Sequence, residues 1–335
     1  MNKNIRLAFV GVGNIAEQHM RYLRDFSDVD IVGLYDIDDK ILRIRQHQFG
    51  GEIYRSINRM LEVQEPDAVF ICVPPYAHGE AEVSCIERCI PFLVEKPLSN
   101  NINTAKELAD KVHESEVITC AAYMNRYRRG VQKAKIFLER YPASLVSGGW
   151  LIDTPSDHPW LTQRELSGGQ LVEQTTHLFD LVRYLCGEAA SIHCYGSKGF
   201  VHPNDTYDVD DATTVSIQLK SGAVACIQSS WSAGFERDIY LKLFGPNISV
   251  EFKNWDLDTK IVCRDYLVPL EIPGEKDIFA IEDRAFLNAV KYNDPTRILS
   301  NYEDGFRSLQ LSLAANESLE TGGPIQLTDL QRYSK

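Results

Sequence analysis

No apolar run in this 335-residue chain approaches the ~18 residues that a helix needs to cross a membrane. Basic charge is also scarce: 35 Lys and Arg stand against 47 Asp and Glu, a formal −12. An acidic surface repels polyphosphate, which argues against nucleic acid as a partner. Cysteines at metal-binding spacing are missing. The eight are scattered, and the closest pair, Cys85 and Cys89, fits no zinc pattern. Cys72, Cys120, Cys194 and Cys226 sit in apolar runs and read as buried free thiols, which fits a reducing cytoplasm. The opening apolar stretch is short and leads into a glycine turn, so it reads as a strand and not as a signal peptide. There is no internal repeat, low-complexity segment or long linker. The length suits about two domains.

What is present begins at that turn. The strand-like Ile5–Val10 runs into Gly11-Val12-Gly13-Asn14-Ile15-Ala16 and then into a helical stretch. In G-x-G-x-x-A the first glycine permits the tight turn and the second lets backbone approach a pyrophosphate. The small third residue packs helix on strand. The helix N-terminus offers unpaired N–H groups to the phosphates. A second apolar run ends in Asp36, an acid placed to hold the ribose hydroxyls of NAD. Ile37 follows, where a 2′-phosphate would want Arg or Lys, so NAD is favoured over NADP. The alternative is a strand–helix turn with no ligand.

Strand and helix alternate over residues 1–122, which predicts a doubly wound parallel sheet. Its strands end near Asp36, at Val73-Pro74 and at Glu95-Lys96, and ligands gather beyond such carboxyl ends. Val73, Pro74, His78, Glu95 and Lys96 are thus expected beside the cofactor with the turn residues Gly11, Gly13, Asn14, Ile15 and Ala16. Residues 123–335 change rhythm. One helical stretch, Gln170–Cys186, precedes many strand-like runs, and two helices close the chain near Ile278–Tyr292 and Tyr302–Glu320. This predicts an α+β domain with a mostly antiparallel sheet. With few helices to cover it, one sheet face should be apolar and build a homodimer or homotetramer.

Several residues could carry chemistry. Lys96 reads either as a partly desolvated lysine able to polarise a substrate oxygen or as an ordinary strand-end lysine. Glu173, His177, Asp180 and Tyr184 fall at i, i+4, i+7 and i+11 on a helix where Leu171, Leu178, Leu181, Val182 and Leu185 occupy much of the rest. His177 between carboxylates reads as a general base or as part of a structural brace. A shared metal lacks a third ligand, so none is expected. His78 either touches the nicotinamide end or lies in solvent. Arg126, in Asn125-Arg126-Tyr127, and Trp160, in Asp157-His158-Pro159-Trp160, either contact substrate or pack between domains; Trp160 suits a sugar face.

Taken together, Gly11-Val12-Gly13-Asn14-Ile15-Ala16, Pro74-Pro75…His78, Glu95-Lys96-Pro97, Asn125-Arg126-Tyr127 and Gly168-Gly169 followed by Glu173…His177…Asp180 resemble the glucose–fructose oxidoreductase / inositol dehydrogenase / MocA family end to end. The resemblance implies a Rossmann domain followed by an α/β domain with a large open sheet used for oligomer contacts. It implies NAD(P)-dependent redox chemistry at a secondary alcohol of a sugar, sugar derivative or cyclitol. Lys96 matches the family's catalytic lysine, with a peptide bond to Pro97 that is often cis. His177 matches its proposed acid/base histidine. Glu173 stands where many polyol dehydrogenases of the family carry Asp. Some relatives instead run an NAD-assisted glycoside hydrolysis, and others are non-catalytic sugar-binding regulators.

Overall fold

The computed structural model describes residues 4–154, 159–201, 206–234 and 236–327. The chain divides into two compact units. The first is residues 1–124 with Asp277–Phe306, and the second is Asn125–Lys276 with Arg307–Lys335.

The first unit holds six parallel strands: β1 (Ile5–Val10), β2 (Val29–Tyr35), β3 (Glu52–Tyr54), β4 (Ala68–Ile71), β5 (Phe92–Val94) and β6 (Thr119–Ala121). Their spatial order is β3-β2-β1-β4-β5-β6, that of doubly wound dinucleotide-binding sheets. β4, β5 and β6 are buried at every residue, as strands covered on both faces must be. Side-chain caps begin three of the crossover helices, Ser56 accepting from the Arg59 amide in one of them. Asp38 accepts from the amides of Lys40 and Ile41, and Asn101 from those of Asn103 and Thr104.

One boundary differs from the sequence reading, which places everything after residue 122 in the second domain. The segment Asp277–Phe306 returns to the first unit. Its helix, Ile278–Tyr292, lies against the helix Asn14–Leu23. Phe286 packs edge-on to Phe70 of β4, and Arg284 and Lys291 both pair with Asp28. Farther on, Ser300 O accepts from the Ala121 amide and Thr119 Oγ1 from the Tyr302 amide, so the segment runs beside β6. These partners are far apart in sequence, so no local pattern announces them.

The second unit is built on a nine-stranded sheet. Its strands are β7 (Leu145–Leu151), β8 (Ala189–Ser197), β9 (Ala212–Leu219), β10 (Val224–Ser230), β11 (Asp238–Gly245), β12 (Ile248–Lys253), β13 (Asp258–Cys263), β14 (Leu270–Ile272) and β15 (Ile325–Gln326). All neighbours pair antiparallel except β7 with β10. Helices Arg129–Arg140 and Thr176–Cys186 and the later turns of Tyr302–Thr321 bury one core with inward residues such as Val146, Val215, Ile227, Leu243 and Val250. On the other face the strand register sets Val262, Ser249, Phe244, Leu145 and Val224 in one row across five strands. Four of the five are large apolar side chains, each more than 40% exposed. Among the described residues no helix is long and apolar enough to cross a membrane.

Candidate active site

In the first unit the expected cofactor residues converge on one edge of the sheet. β2, β4 and β5 run parallel, so Asp36, Val73, Pro74 and Lys96, just past their ends, share the carboxyl edge with the glycine turn after β1. Gly11 has φ +82°, and a Cβ there would lie 2.4 Å from the carbonyl oxygen of Cys72, so the turn requires glycine. Ala16 is buried beneath the helix start. Gly13 is different: a Cβ there would meet nothing within 4 Å. Packing within the protein does not explain that glycine, whereas a pyrophosphate lying on the backbone does. Asn14 is exposed and Ile15 half-buried at the same helix start. Asp36 points back to the turn. Its Oδ2 accepts from the Val12 amide at 2.8 Å and its Oδ1 from the Asp38 amide at 2.9 Å. Ile37 is 92% exposed and brings no cation. The buried Arg45 is already paired, at 2.6 Å, with Glu17 and donates to the Val12 carbonyl. The edge therefore fits a dinucleotide held by backbone N–H groups at the turn and by Asp36 at a ribose.

Lys96 is half-buried after β5, and its bond to Pro97 is cis, as the family resemblance implies. Glu95 beside it is buried and accepts from the Lys96 amide through Oε2 at 3.1 Å. Its other oxygen lies 3.0 Å from Nε2 of His19, whose Nδ1 lies 2.7 Å from Asp283 Oδ1. Burial alone would lower the His19 pKa. Attraction to Asp283 and hydrogen bonds to Asp283 and Glu95 outweigh it and raise the value to about 10. Burial pushes the Asp283 carboxyl up against the pull of His19. The two carboxylates that face the imidazole thus favour its charged form. His78 is buried, with Nδ1 bonded to Glu82; its Nε2 has no hydrogen-bond partner among the described residues. Burial alone would raise the Glu82 carboxyl, but His78 and the Gly79 amide hold it below its usual range.

The second unit carries His177, and here the helix is not the continuous one expected. It breaks into Gln170–Glu173 and Thr176–Cys186. The Gln170 carbonyl accepts from both the Gln174 and Thr175 amides, a locally widened turn, and the His177 amide then donates to the Gln174 carbonyl. The cause is the sheet beneath. Gln170 Nε2 donates to the carbonyls of Trp150 and Ser230, Trp231 Nε1 donates to Gln174 Oε1 at 2.8 Å, and Thr175 Oγ1 sits 2.6 Å from Ser229 Oγ. These pins take the place of regular helical bonds, so Glu173 and His177 do not sit four residues apart on one unbroken helix. His177 is buried, and its ring stacks on Trp150, centroids 5.6 Å apart and planes 18° apart. Trp255 meets the same indole edge-on at 5.9 Å.

Arg126 and Asp180 engage each other. Arg126 Nε and Nη2 donate to the two carboxylate oxygens at 2.9 and 2.7 Å, both side chains are buried, and Ser308 Oγ adds a 2.7 Å bond. This bidentate pair braces the segment after β6 against the helix of His177. Trp160 is half-buried in the turn Pro159–Thr162, packed against Leu161, Val209 and Trp231, while Asp157 and His158 lie outside the described residues. Sequence reasoning missed Trp150, His19 and Asp283. Trp150 lies in a strand disguised by Gly148-Gly149, which are glycine because a Cβ would strike Leu241 or Tyr240 at 2.7 or 2.6 Å.

Two domain models of one family match the chain: the oxidoreductase family NAD-binding Rossmann fold over residues 5–123, and the GFO/IDH/MocA C-terminal domain over residues 143–251. A myo-inositol 2-dehydrogenase of Thermotoga maritima is 26% identical over 97% of this chain and 99% of its own. An NAD(+)-dependent scyllo-inositol 2-dehydrogenase of Bacillus subtilis is 26% identical over 100% and 99%. Among solved structures, levoglucosan dehydrogenase in complex with NADH shares the fold, with a TM-score of 0.85 over 97% of this chain and 99% of that one at 19% identity. The glycine turn, the Glu-Lys-Pro segment with its cis bond, the parallel sheet and the open antiparallel sheet thus come together in one assignment: the chain belongs to the Gfo/Idh/MocA family of NAD-binding oxidoreductases.

Proposed function

We propose that the protein is an NAD-dependent dehydrogenase acting on a secondary hydroxyl of a sugar, sugar derivative or cyclitol. The observation that carries this reading is the carboxyl edge of the first sheet, where a glycine turn with an unfilled Gly13 face, Asp36 and Lys96 lie together. The family membership and the sugar- and cyclitol-dehydrogenase names of relatives support the substrate class. The nicotinamide, when bound, supplies hydride transfer. In this reading the Lys96 ammonium holds and polarises the reacting oxygen, His177 carries the proton, and Glu173 orients the imidazole. The test is an NADH-fluorescence screen of the purified protein against myo-inositol, scyllo-inositol, levoglucosan and D-glucosides. Reduction of NAD by one of them, with turnover lowered about 10²–10³-fold in Lys96→Met, is the expected result. Release of reducing sugar without net NADH would favour the hydrolytic relatives instead, and no turnover on any of the compounds, with NAD still bound, would favour the regulators.

The same edge supports NAD as the preferred cofactor. A 2′-phosphate would meet the Asp36 carboxylate with only Ile37 beside it. NAD should bind at least about tenfold tighter than NADP, a difference of about 1.4 kcal/mol. Asp36→Asn keeps an acceptor for the Val12 amide, removes the charge, and should narrow the gap. Equal or tighter binding of NADP to the wild type by fluorescence titration would overturn the assignment.

The row Val262, Phe244, Leu145 and Val224 on the uncovered sheet face supports a homodimer or homotetramer formed there. Light scattering at micromolar concentration should give a multiple of the chain mass, and Phe244→Glu should lower it. A wild-type monomer would contradict the proposal.

A further inference from the structure

The buried line of acid, imidazole and acid beneath Lys96 is not used by the chemistry above. His19 sits on the helix after the glycine turn, Glu95 at the end of β5, and Asp283 on the returning helix Ile278–Tyr292. All three are at least nine-tenths buried. Phe70 and Phe279 flank the imidazole edge-on, each with centroids 5.2 Å away, so apolar rings close the sides that the carboxylates leave open. An ionised group in such a place is retained only with its partners in good geometry. Both His19 nitrogens have them, at 2.7 and 3.0 Å. A plain tie between helix and sheet needs no charge and no third member. This line continues instead to one functional atom set, because the Glu95 oxygen left free by His19 accepts from the main-chain amide of Lys96.

We propose that His19 and Asp283 are positioning residues for Lys96. Asp283 orients the imidazole, the imidazole fixes the Glu95 carboxylate in one rotamer, and that carboxylate fixes the backbone from which the Lys96 side chain departs. The inference rests on the reading of Lys96 as the group that polarises the reacting oxygen. It adds a requirement: the ammonium must be held from below, by a partner contributed from a segment far along the chain.

The test uses two substitutions that divide the imidazole. His19→Gln places an amide N–H near the position of Nε2, so a donor to Glu95 remains. His19→Asn places one near Nδ1, so the link to Asp283 remains and the link to Glu95 is lost. Two quantities are read per folded molecule. One is kcat and KM on the substrate found in the screen. The other is the acetylation rate of Lys96 in the cofactor-free protein, by mass spectrometry, with the other lysines as internal standards. His19→Asn should lower kcat about 10–100-fold, the range for a support behind a functional group. KM should change little, and Lys96 acetylation should shift severalfold. His19→Gln, which keeps the donor to Glu95 but loses the link to Asp283, should fall between His19→Asn and wild type in both, even if the two variants melt at the same temperature. Equal kcat and equal Lys96 acetylation in the two variants would overturn the proposal. Should His19→Asn not fold, Asp283→Asn is read in the same way; wild-type values for both quantities there overturn it as well. Lys96→Met separates the levels. If it is inactive while the histidine variants are equal, only this inference fails. If it turns over like wild type, the reading of Lys96 fails and this inference fails with it.

Discussion

Replacing His177 by alanine should lower turnover about 10²–10⁴-fold, the usual loss for a positioned acid/base group. NAD affinity should stay near its wild-type value, because the residues assigned to the dinucleotide all belong to the first unit and His177 to the second. The ring is buried and stacked on Trp150, so its removal also leaves a cavity. Some stability will be lost in either case, and turnover must be expressed per folded molecule. Glu173→Gln should be milder if the acid mainly orients the imidazole. A brace without chemistry gives a different pattern, in which melting temperature falls in both variants and activity falls only in proportion to folded protein. Wild-type turnover per folded His177→Ala molecule would remove the proton-carrying role from this residue.

The second large effect is on stability and comes from Asp180. Alanine there takes the Asp180 carboxylate away from the Arg126 guanidinium, which is 3% exposed. Breaking one side of a buried pair typically costs about 3–5 kcal/mol, because the remaining ion stays desolvated with its bidentate partner gone. For a unit of this size that is a drop on the order of 10 °C in its melting transition. Ser308 loses the acceptor of its hydroxyl in the same change. Asp180→Asn keeps the shape and one carbonyl acceptor and should lose less. Turnover per folded molecule should remain within a few-fold of wild type in Asp180→Asn. A raised KM for substrate in a normally stable Asp180→Asn would instead place Asp180 in substrate binding. Calorimetry and steady-state kinetics on the same preparations decide the matter.

The parts of the molecule legible in the sequence are those in which neighbours along the chain dictate the chemistry. The glycine turn, the all-apolar β4 and the alternating β9 each carry their own explanation within a few residues, and the parallel and mostly antiparallel sheets follow from them. The helix of His177 is legible as a helix but not as a broken one, since the break is imposed by Ser229, Ser230 and Trp231 reaching it from the end of β10. Strand β7 is hidden because its two glycines answer to crowding by Leu241 and Tyr240, which local propensity does not register. The Asp180 stripe was visible, but its partner Arg126 lies 54 positions away. His19 and Asp283 are separated by 264 positions, and nothing near either one signals the other.

The return of residues 277–306 to the first unit also bears on how the protein is made. Synthesis runs from the N-terminus, and domains generally fold as units as they emerge. Here the six strands of the first sheet are complete once Ala121 has left the ribosome, yet the helix that covers Phe70 and supplies Asp283 has still to be translated. Until then His19 and Glu95 lack the acid that completes their arrangement, and an apolar flank of the nascent unit stays uncovered while the whole run from Asn125 to Lys276 is produced. During that interval the uncovered flank exposes the growing chain to aggregation and gives a chaperone something to shield.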